Sequence, residues 1–274
     1  MIFYAPDIEN ERHLPEEESQ HAVKVLRLKE GDKIEIVDGK GCFYHAEITF
    51  PHVKHCEVEI LSKTENFQPQ PVHLHIAIAP TKNMDRLEWF AEKVTEIGVG
   101  EITPLLCEHS ERKVLKHDRL EKILVSAMKQ SKKAYLPRLN ELKKFSDFVK
   151  ENPHGNRFIA HCYEEDKKEL VKEYVAGEDA VVLIGPEGDF GEKEVAVASK
   201  AGFVPVSLGE SRLRTETAGV VACHLVTVAN IAKQFSRSNH SSKCLRLFKK
   251  DDKITFGYYS KNSPYAFTTI VKPV

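Results

Sequence analysis

From Val72 to Gln234, short β-branched runs take turns with stretches of helical period, and that alternation leaves little choice of fold. His73–Ala79 reads as a strand. Lys82–Gly98 reads as a helix that carries Leu87, Phe90, Ala91, Val94 and Ile97 on one face. Glu101–Leu106 is a strand again and His117–Ser131 a helix. Strands follow at Arg157–His161, Ala180–Ile184 and Val204–Leu208, with helices near Lys167–Tyr174 and Glu192–Ala201. Thr215 is placed to N-cap a last helix that runs to Gln234. Such a succession predicts an α/β fold, a mainly parallel sheet covered on both faces.

The first seventy residues follow a different rule. Lys33–Val37, Phe43–Thr49 and Cys56–Leu61 are short strands parted by the turn signals Gly31-Asp32, Asp38-Gly39 and Pro51. With a short helix at His21–Leu28 they predict a small β-barrel over 1–70. Gln68–Pro71 (QPQP) is a stiff, extended linker to the α/β domain at 71–235. Residues 236–274 carry eight Lys/Arg against two Asp and read either as an RNA-grasping arm, as a poorly ordered extension or as a non-native addition. The six cysteines stand at least fourteen residues apart, so no CxxC pair or zinc knuckle forms locally, and free thiols in a reducing cytosol are expected. No apolar run of bilayer-spanning length and no apolar signal core at the N-terminus is read, so no membrane contact is expected.

Two glycine-bearing loops stand where open α/β sheets bind ligands, at the C-terminal ends of strands. Ile184-Gly185-Pro186-Glu187-Gly188-Asp189-Phe190-Gly191 follows VVL, and Leu208-Gly209-Glu210-Ser211-Arg212-Leu213-Arg214-Thr215-Glu216-Thr217-Ala218 follows FVPVS. The first lacks the Lys-Ser/Thr of a P-loop and has GxxGxxG, not the dinucleotide GxGxxG. Either loop alone could simply turn the chain. Two arginines and a glutamate beside the second argue for a site. Charge adds a third signal. Residues 110–144 hold eleven Lys/Arg, beginning at Arg112, against four Asp/Glu, which fits either a solvated helix face or a phosphate-binding surface. The 1–70 segment holds eight Lys/Arg and fourteen Asp/Glu, so any RNA contact there is local, at Lys24, Arg27 and Lys29.

IGPEGDFGEKE followed by LGESRLRTETA resembles the signature of the RsmE-type 16S rRNA (uracil-N3)-methyltransferases of the SPOUT superfamily. Arg86-Leu87-Glu88 with Lys93–Val99, the segment His21–Gly31, and Gln130-Ser131 with Pro137 match further motifs in the family's order, over roughly residues 1–235. The resemblance implies a PUA-like barrel, a SPOUT domain with a C-terminal trefoil knot, a homodimer, and a uridine of the 16S rRNA decoding region in the small ribosomal subunit as target. S-adenosylmethionine would be held by Ile184, Gly185, Pro186, Glu187, Gly188, Leu208, Gly209, Leu213, Thr215, Thr217 and Ala218. RNA would meet Lys24, Arg27, Arg86, Arg112, Gln130, Ser131, Lys132 and Lys133, and no metal is implied. Two departures stand out. Lysine replaces the family arginine after Gln130-Ser131, and Asp189 replaces the second glycine of GPEGG, which removes one backbone freedom.

Methylating uracil N3 requires an unpaired base, a proton acceptor and donors to the uracil oxygens. Glu216 is the candidate acceptor, with a helix N-terminal carboxylate as the competing reading. Arg214 and Arg212 are candidate donors. Three rival functions are weighed: a SPOUT ribose 2′-O- or tRNA methyltransferase, an RNA-binding assembly factor without catalysis, and a metal hydrolase. The last is disfavoured because His73 and His75 have no carboxylate near them in sequence.

Overall fold

The computed structural model describes residues 1–151, 153–163 and 167–238, and beyond them only the backbone of three short strands. It divides into two units, 1–227 and 228–274.

The first unit opens with β1 (Ile2–Tyr4), α1 (Ile8–Glu11) and α2 (Glu16–Gln20), which runs on into a π-helical turn at His21–Val25. β2 (Lys33–Val37), β3 (Phe43–Phe50) and β4 (Glu57–Thr64) follow as an antiparallel meander, and β1 adds to β2 in parallel. Backbone bonds from Leu14 to Cys56 and from Val58 to Arg12 carry the ladder round from β4 to the start of the chain. Alternate residues Ile34, Ile36, Tyr44, Ala46, Ile48 and Val58 turn inward onto Phe3, Ile8 and Leu14. The helix expected at His21–Leu28 begins earlier, at Glu16. Pro15 precedes it and three glutamates fill its first turn, where the helix dipole favours them.

The α/β region then unfolds in order: β5 (Leu74–Ile78), α3 (Met84–Ile97), β6 (Glu101–Leu106), α4 (His117–Gln130), β7 (Arg138–Leu139), β8 (Lys143–Lys144), α5 (Phe145–Lys150), β9 (Asn156–Ala160), β10 (Lys168–Glu169), α6 (Leu170–Glu173), β11 (Ala180–Ile184), α7 (Glu192–Lys200), β12 (Val204–Ser207) and α8 (Thr215–Ser238). The sheet order is β10-β12-β9-β11-β5-β6-β7, with β8 also on β6, and every pairing is parallel. β5 and β11 are buried along their whole length, as strands covered on both faces must be. Asn83 caps α3 by accepting the Asp85 N–H, and Gly98 at φ 123° ends it.

The linker does not separate two independent bodies. Ile2, Val37 and Phe43 of the N-terminal sheet share a small core with Met128 and Ala134 of the α/β part. Gly41 N–H donates to Ala134 O and Leu136 N–H to Gly39 O. Above this core Lys129 meets Glu18 at 2.5 Å, both side chains largely buried, and Lys122 meets Glu17 at 2.7 Å. Part of the basic run at 110–144 is therefore paired with carboxylates of the same chain, buried at Lys129 and exposed at Lys122. Arg119 is likewise taken by Glu88 and Lys143 by Glu151.

The expectation that no segment has bilayer-spanning length and apolarity needs correction. Thr215–Gln234 in α8 is 20 residues with a mean hydropathy of 1.2. Its residues Ala222, Cys223 and Val226 are buried against protein. In the second unit, β13 (Arg246–Lys250), β14 (Lys253–Gly257) and β15 (Thr268–Ile270) pair as an antiparallel meander. Otherwise the tail read at 236–274, with Cys244, lies outside the described residues beyond Ser238.

At the other end of the sheet from the glycine loops, His73 Nε2 lies 2.9 Å from Glu101 Oε2 and His75 Nε2 lies 2.7 Å from Thr103 Oγ1. Asn140 donates to both Glu101 and Thr103. Sheet pairing thus brings the histidines the carboxylate that they lacked in sequence. Among the described residues no cluster of ligands fit for a metal forms. Burial pushes His75 down to about 4, only partly opposed by Glu101. An unfolded chain holds that proton from its ordinary value of 6.5. Between the two the unfolded state binds more protons, so stability falls as pH drops from 6.5 towards 4, at roughly 1.4 kcal/mol per pH unit. Urea unfolding at pH 7 and pH 4.5 should show His75→Gln losing less stability than the parent over this interval. Equal losses would clear His75 of the effect.

Candidate functional site

β12, β9 and β11 are parallel neighbours, so the loops that leave their C-terminal ends emerge side by side. A cleft of two joined chambers, about 280 and 320 Å³, opens between them, in the range of roughly 300–1,000 Å³ usual for ligand pockets. Ala160, Cys162, Arg212, Leu213 and Ala218 border both chambers. Ile184, Gly185, Pro186, Glu187, Asp189, Arg214 and Thr215 line the first, and Leu208 and Gly209 the second. Most of the residues singled out in sequence are therefore brought together.

Gly188, Thr217 and Glu216 are not among the lining residues. For the two helical positions the reason is helical period. Thr215 and Ala218, with Arg214 just before the helix, border the cleft, whereas Glu216 and Gly219 face α3. Glu216 Oε1 lies 3.8 Å from Arg86 Nε, and Gly219 packs on Phe90. Glu216, the candidate acceptor, thus stands beside the cleft and not in its lining: its buried carboxylate ties α8 to α3, and Oε2 has no hydrogen-bond partner. The N-cap assignment of Thr215 also changes. Its hydroxyl donates to Gly185 O at 3.0 Å, pinning the helix start to the first loop, while Arg214 O accepts the Ala218 N–H. Gly188 is backed by His109, whose Nδ1 lies 3.1 Å from the Gly188 carbonyl oxygen.

The two cavity arginines are exposed, and among the described residues neither side chain has a hydrogen bond or ion pair. Glu187 Oε1 accepts the Lys82 N–H at 2.9 Å, fastening the first loop to the one after β5. Arg112 braces that same loop by donating to Thr81 O and Lys82 O. Two of its guanidinium nitrogens, Nε and Nη2, are thus bonded to backbone. Of the remaining RNA candidates, Lys24, Arg27, Gln130 and Lys132 are exposed. Ser131 Oγ donates back to Ala127 O. Lys133 is half-buried, and desolvation lowers its pKa.

Asp189, which replaces the second glycine of GPEGG, keeps a glycine-like backbone conformation. It sits at φ 65°, the left-handed conformation that the family glycine would adopt. Its carboxylate accepts the Cys162 N–H at 2.7 Å and the Phe190 N–H at 2.8 Å. The substitution thus joins two walls of the cleft. Asp189→Ala leaves both donors unmet and keeps a Cβ at positive φ, and should lower stability by about 1–3 kcal/mol. Asp189→Gly relieves the backbone and should lose less. Thermal melts of the two variants check the order.

Sequence reading missed the third wall, His161, Cys162 and Lys167 after β9. Lys167 Nζ donates to His161 O and Tyr163 O, closing that loop on itself. The signal was present: RFIA is a strand, and the rule that picked the other two loops applies to its end as well.

The parallel sheet thus carries a cleft at three adjacent strand ends and packs against a small mixed sheet, a scaffold whose chemistry is set by the residues of that cleft. The family model for the RNA methyltransferase domain matches residues 68–227, and that for the RNA methyltransferase PUA domain matches 14–61. A ribosomal RNA small subunit methyltransferase E from Buchnera aphidicola is 30% identical over 230 residues, 81% of this chain and 90% of its own. A crystal structure of a candidate rRNA-methyltransferase from Porphyromonas gingivalis is 43% identical, with a TM-score of 0.80 over 85% of this chain and 99% of its own. The Neisseria gonorrhoeae ribosomal RNA small subunit methyltransferase E, solved bound to S-adenosyl methionine, is 26% identical, with a TM-score of 0.73 over 83% and 96%. The chain belongs to the ribosomal RNA small subunit methyltransferase E family.

Proposed function

We propose that this enzyme uses S-adenosylmethionine to methylate N3 of a uridine in the decoding region of 16S rRNA, in the assembled small subunit. The observation that carries this is the pair of uncommitted arginines, Arg212 and Arg214, over a cleft walled by bare backbone. Gly209, at φ 132°, has nothing within 4 Å of where a Cβ would stand, so that chamber is open up to the main chain. Such walls suit a cofactor held by backbone N–H and C=O groups, with Leu208, Gly209 and Leu213 on one side and Ile184, Gly185 and Pro186 on the other.

S-adenosylmethionine, when bound, supplies an electrophilic methyl on a positively charged sulfur. The protein's task is to hold uracil in line and to favour its N3-deprotonated form. Arg212 and Arg214 do this by placing positive charge at the ring oxygens, where the anion's charge resides. With Glu216 turned to α3, the N3 proton leaves to water in the open cleft. Transfer would join the methyl carbon to N3 and leave the cofactor's sulfur neutral, with Arg212 and Arg214 holding the uracil in place. Gly185, pinned by Thr215, keeps the two walls at fixed spacing, which supplies alignment. In this reading the chain threads a trefoil knot where α8 starts against Gly185, works as a homodimer, and acts in the cytoplasm where ribosomes mature.

The test is to incubate the enzyme with methyl-labelled S-adenosylmethionine and either unmodified 16S rRNA or unmodified small subunits, then identify the labelled nucleoside by mass spectrometry. N3-methyluridine from subunits is expected. Label on a ribose 2′-oxygen overturns the target, and no label with cofactor binding intact favours an assembly factor. Light scattering at twice the 31.1 kDa chain mass tests the dimer.

A further inference from the structure

We propose that the tip of the β3–β4 hairpin is a stacking platform for unpaired bases of the RNA substrate. This rests on the rRNA reading above and assigns a contact that the cleft does not supply. Phe50, at the end of β3, is 50% exposed. Its ring lies parallel to that of His52, at 5.9 Å and an interplanar angle of 6°. His55 follows at 4.0 Å from His52, and His13 closes the row edge-on at 6.4 Å from His55. Four aromatic rings thus stand together at the outer end of a two-stranded arm.

The surroundings favour nucleic acid over a protein partner. Lys54 is exposed at the same tip. Gly31 N–H donates to Ile48 O, and Ile48 N–H to Asp32 O. The segment bearing exposed Lys24, Arg27 and Lys29 is therefore joined to β3 two residues before Phe50. Rings flanked by a few cations are what single-stranded RNA requires: faces for bases and point charges for the backbone. The domain as a whole is acidic, with fourteen Asp/Glu against eight Lys/Arg in residues 1–70. A surface of that charge repels phosphates on average. Stacking escapes the difficulty, because a base face carries no net charge.

Phe50→Ala should weaken binding to unmodified small subunits by about tenfold or more at fixed salt, as loss of one stacked base does. The slope of log affinity against log salt should stay unchanged, because no phosphate contact is lost. Lys24→Ala with Arg27→Ala should instead flatten that slope. Phe50→Trp should restore binding and Phe50→Leu should not, which separates a π-face from mere apolar area. Melting temperature and S-adenosylmethionine affinity should match the parent throughout. Phe50→Ala within twofold of the parent, or Phe50→Leu equal to it, overturns the platform while leaving the enzyme reading intact. A parent protein that binds cofactor but neither 16S rRNA nor subunits overturns the rRNA reading, and the platform's partner with it.

Discussion

Arg214→Ala slows methyl transfer to small-subunit RNA by about 10²–10³-fold, the effect of removing one preorganised donor from a developing anion. The side chain borders the cleft, is exposed, and has no ion pair or hydrogen bond among the described residues. Its loss therefore leaves no buried partner stranded, and stability should hold. Cofactor affinity, measured by calorimetry, should change only a few-fold, so that the loss falls on kcat and on kcat/KM alike. Raising the pH should recover part of the rate, since a more alkaline solution supplies the N3-deprotonated uracil that the guanidinium otherwise favours. Unchanged turnover with unchanged affinity would remove Arg214 from the mechanism. Arg214→Lys tests geometry against charge, because lysine keeps the charge and loses the planar fork.

Gly219→Ala should destabilise the protein by about 1–3 kcal/mol, although helix propensity alone predicts a gain of roughly 1 kcal/mol. Packing decides the sign. A Cβ on Gly219 would stand 2.4 Å from Phe90 Cε2 and 3.1 Å from Ile78 Cδ1. Phe90 is fully buried and has nowhere to swing. α8 must lift from α3, which strains the Glu216–Arg86 pair and the Thr215–Gly185 bond together. Cofactor affinity should fall with stability. Phe90→Leu in the same chain frees space at the contact and should recover part of both, a coupling that a double-mutant cycle measures. A variant at least as stable as the parent would show that the helices are free to slide.

Strand and helix existence from Val72 onward was legible because each element is long enough to show its period, as α3 shows with Leu87, Phe90, Ala91 and Val94 buried on one face. β1 was not legible. Three residues carry no period, and its partner β2 lies some thirty residues away. The cleft was half legible. Gly185 and Gly209 announce themselves, but the β9 wall has no glycine, and its strand-end position was its one signal until β9 lay beside β11. The Arg86 partner of Glu216 was not legible, because a sequence motif does not say which side of a helix each letter occupies. The basic run misled for a related reason: charge counted along the chain says nothing of Glu17 and Glu18, which arrive from a hundred residues away and neutralise Lys122 and Lys129.

The core shared by Ile2, Val37, Phe43, Met128 and Ala134 makes the molecule a caliper with a set gap. One jaw is the N-terminal sheet with its hairpin, and the other is the cleft. A packed hinge favours one spacing of the two jaws over others. The RNA must offer its grip point and its target at the jaw's own separation. Selection then lies in the folded shape of the substrate as much as in its letters, and adding Gly-Ser residues at 68–71 should lengthen the chain without widening the gap.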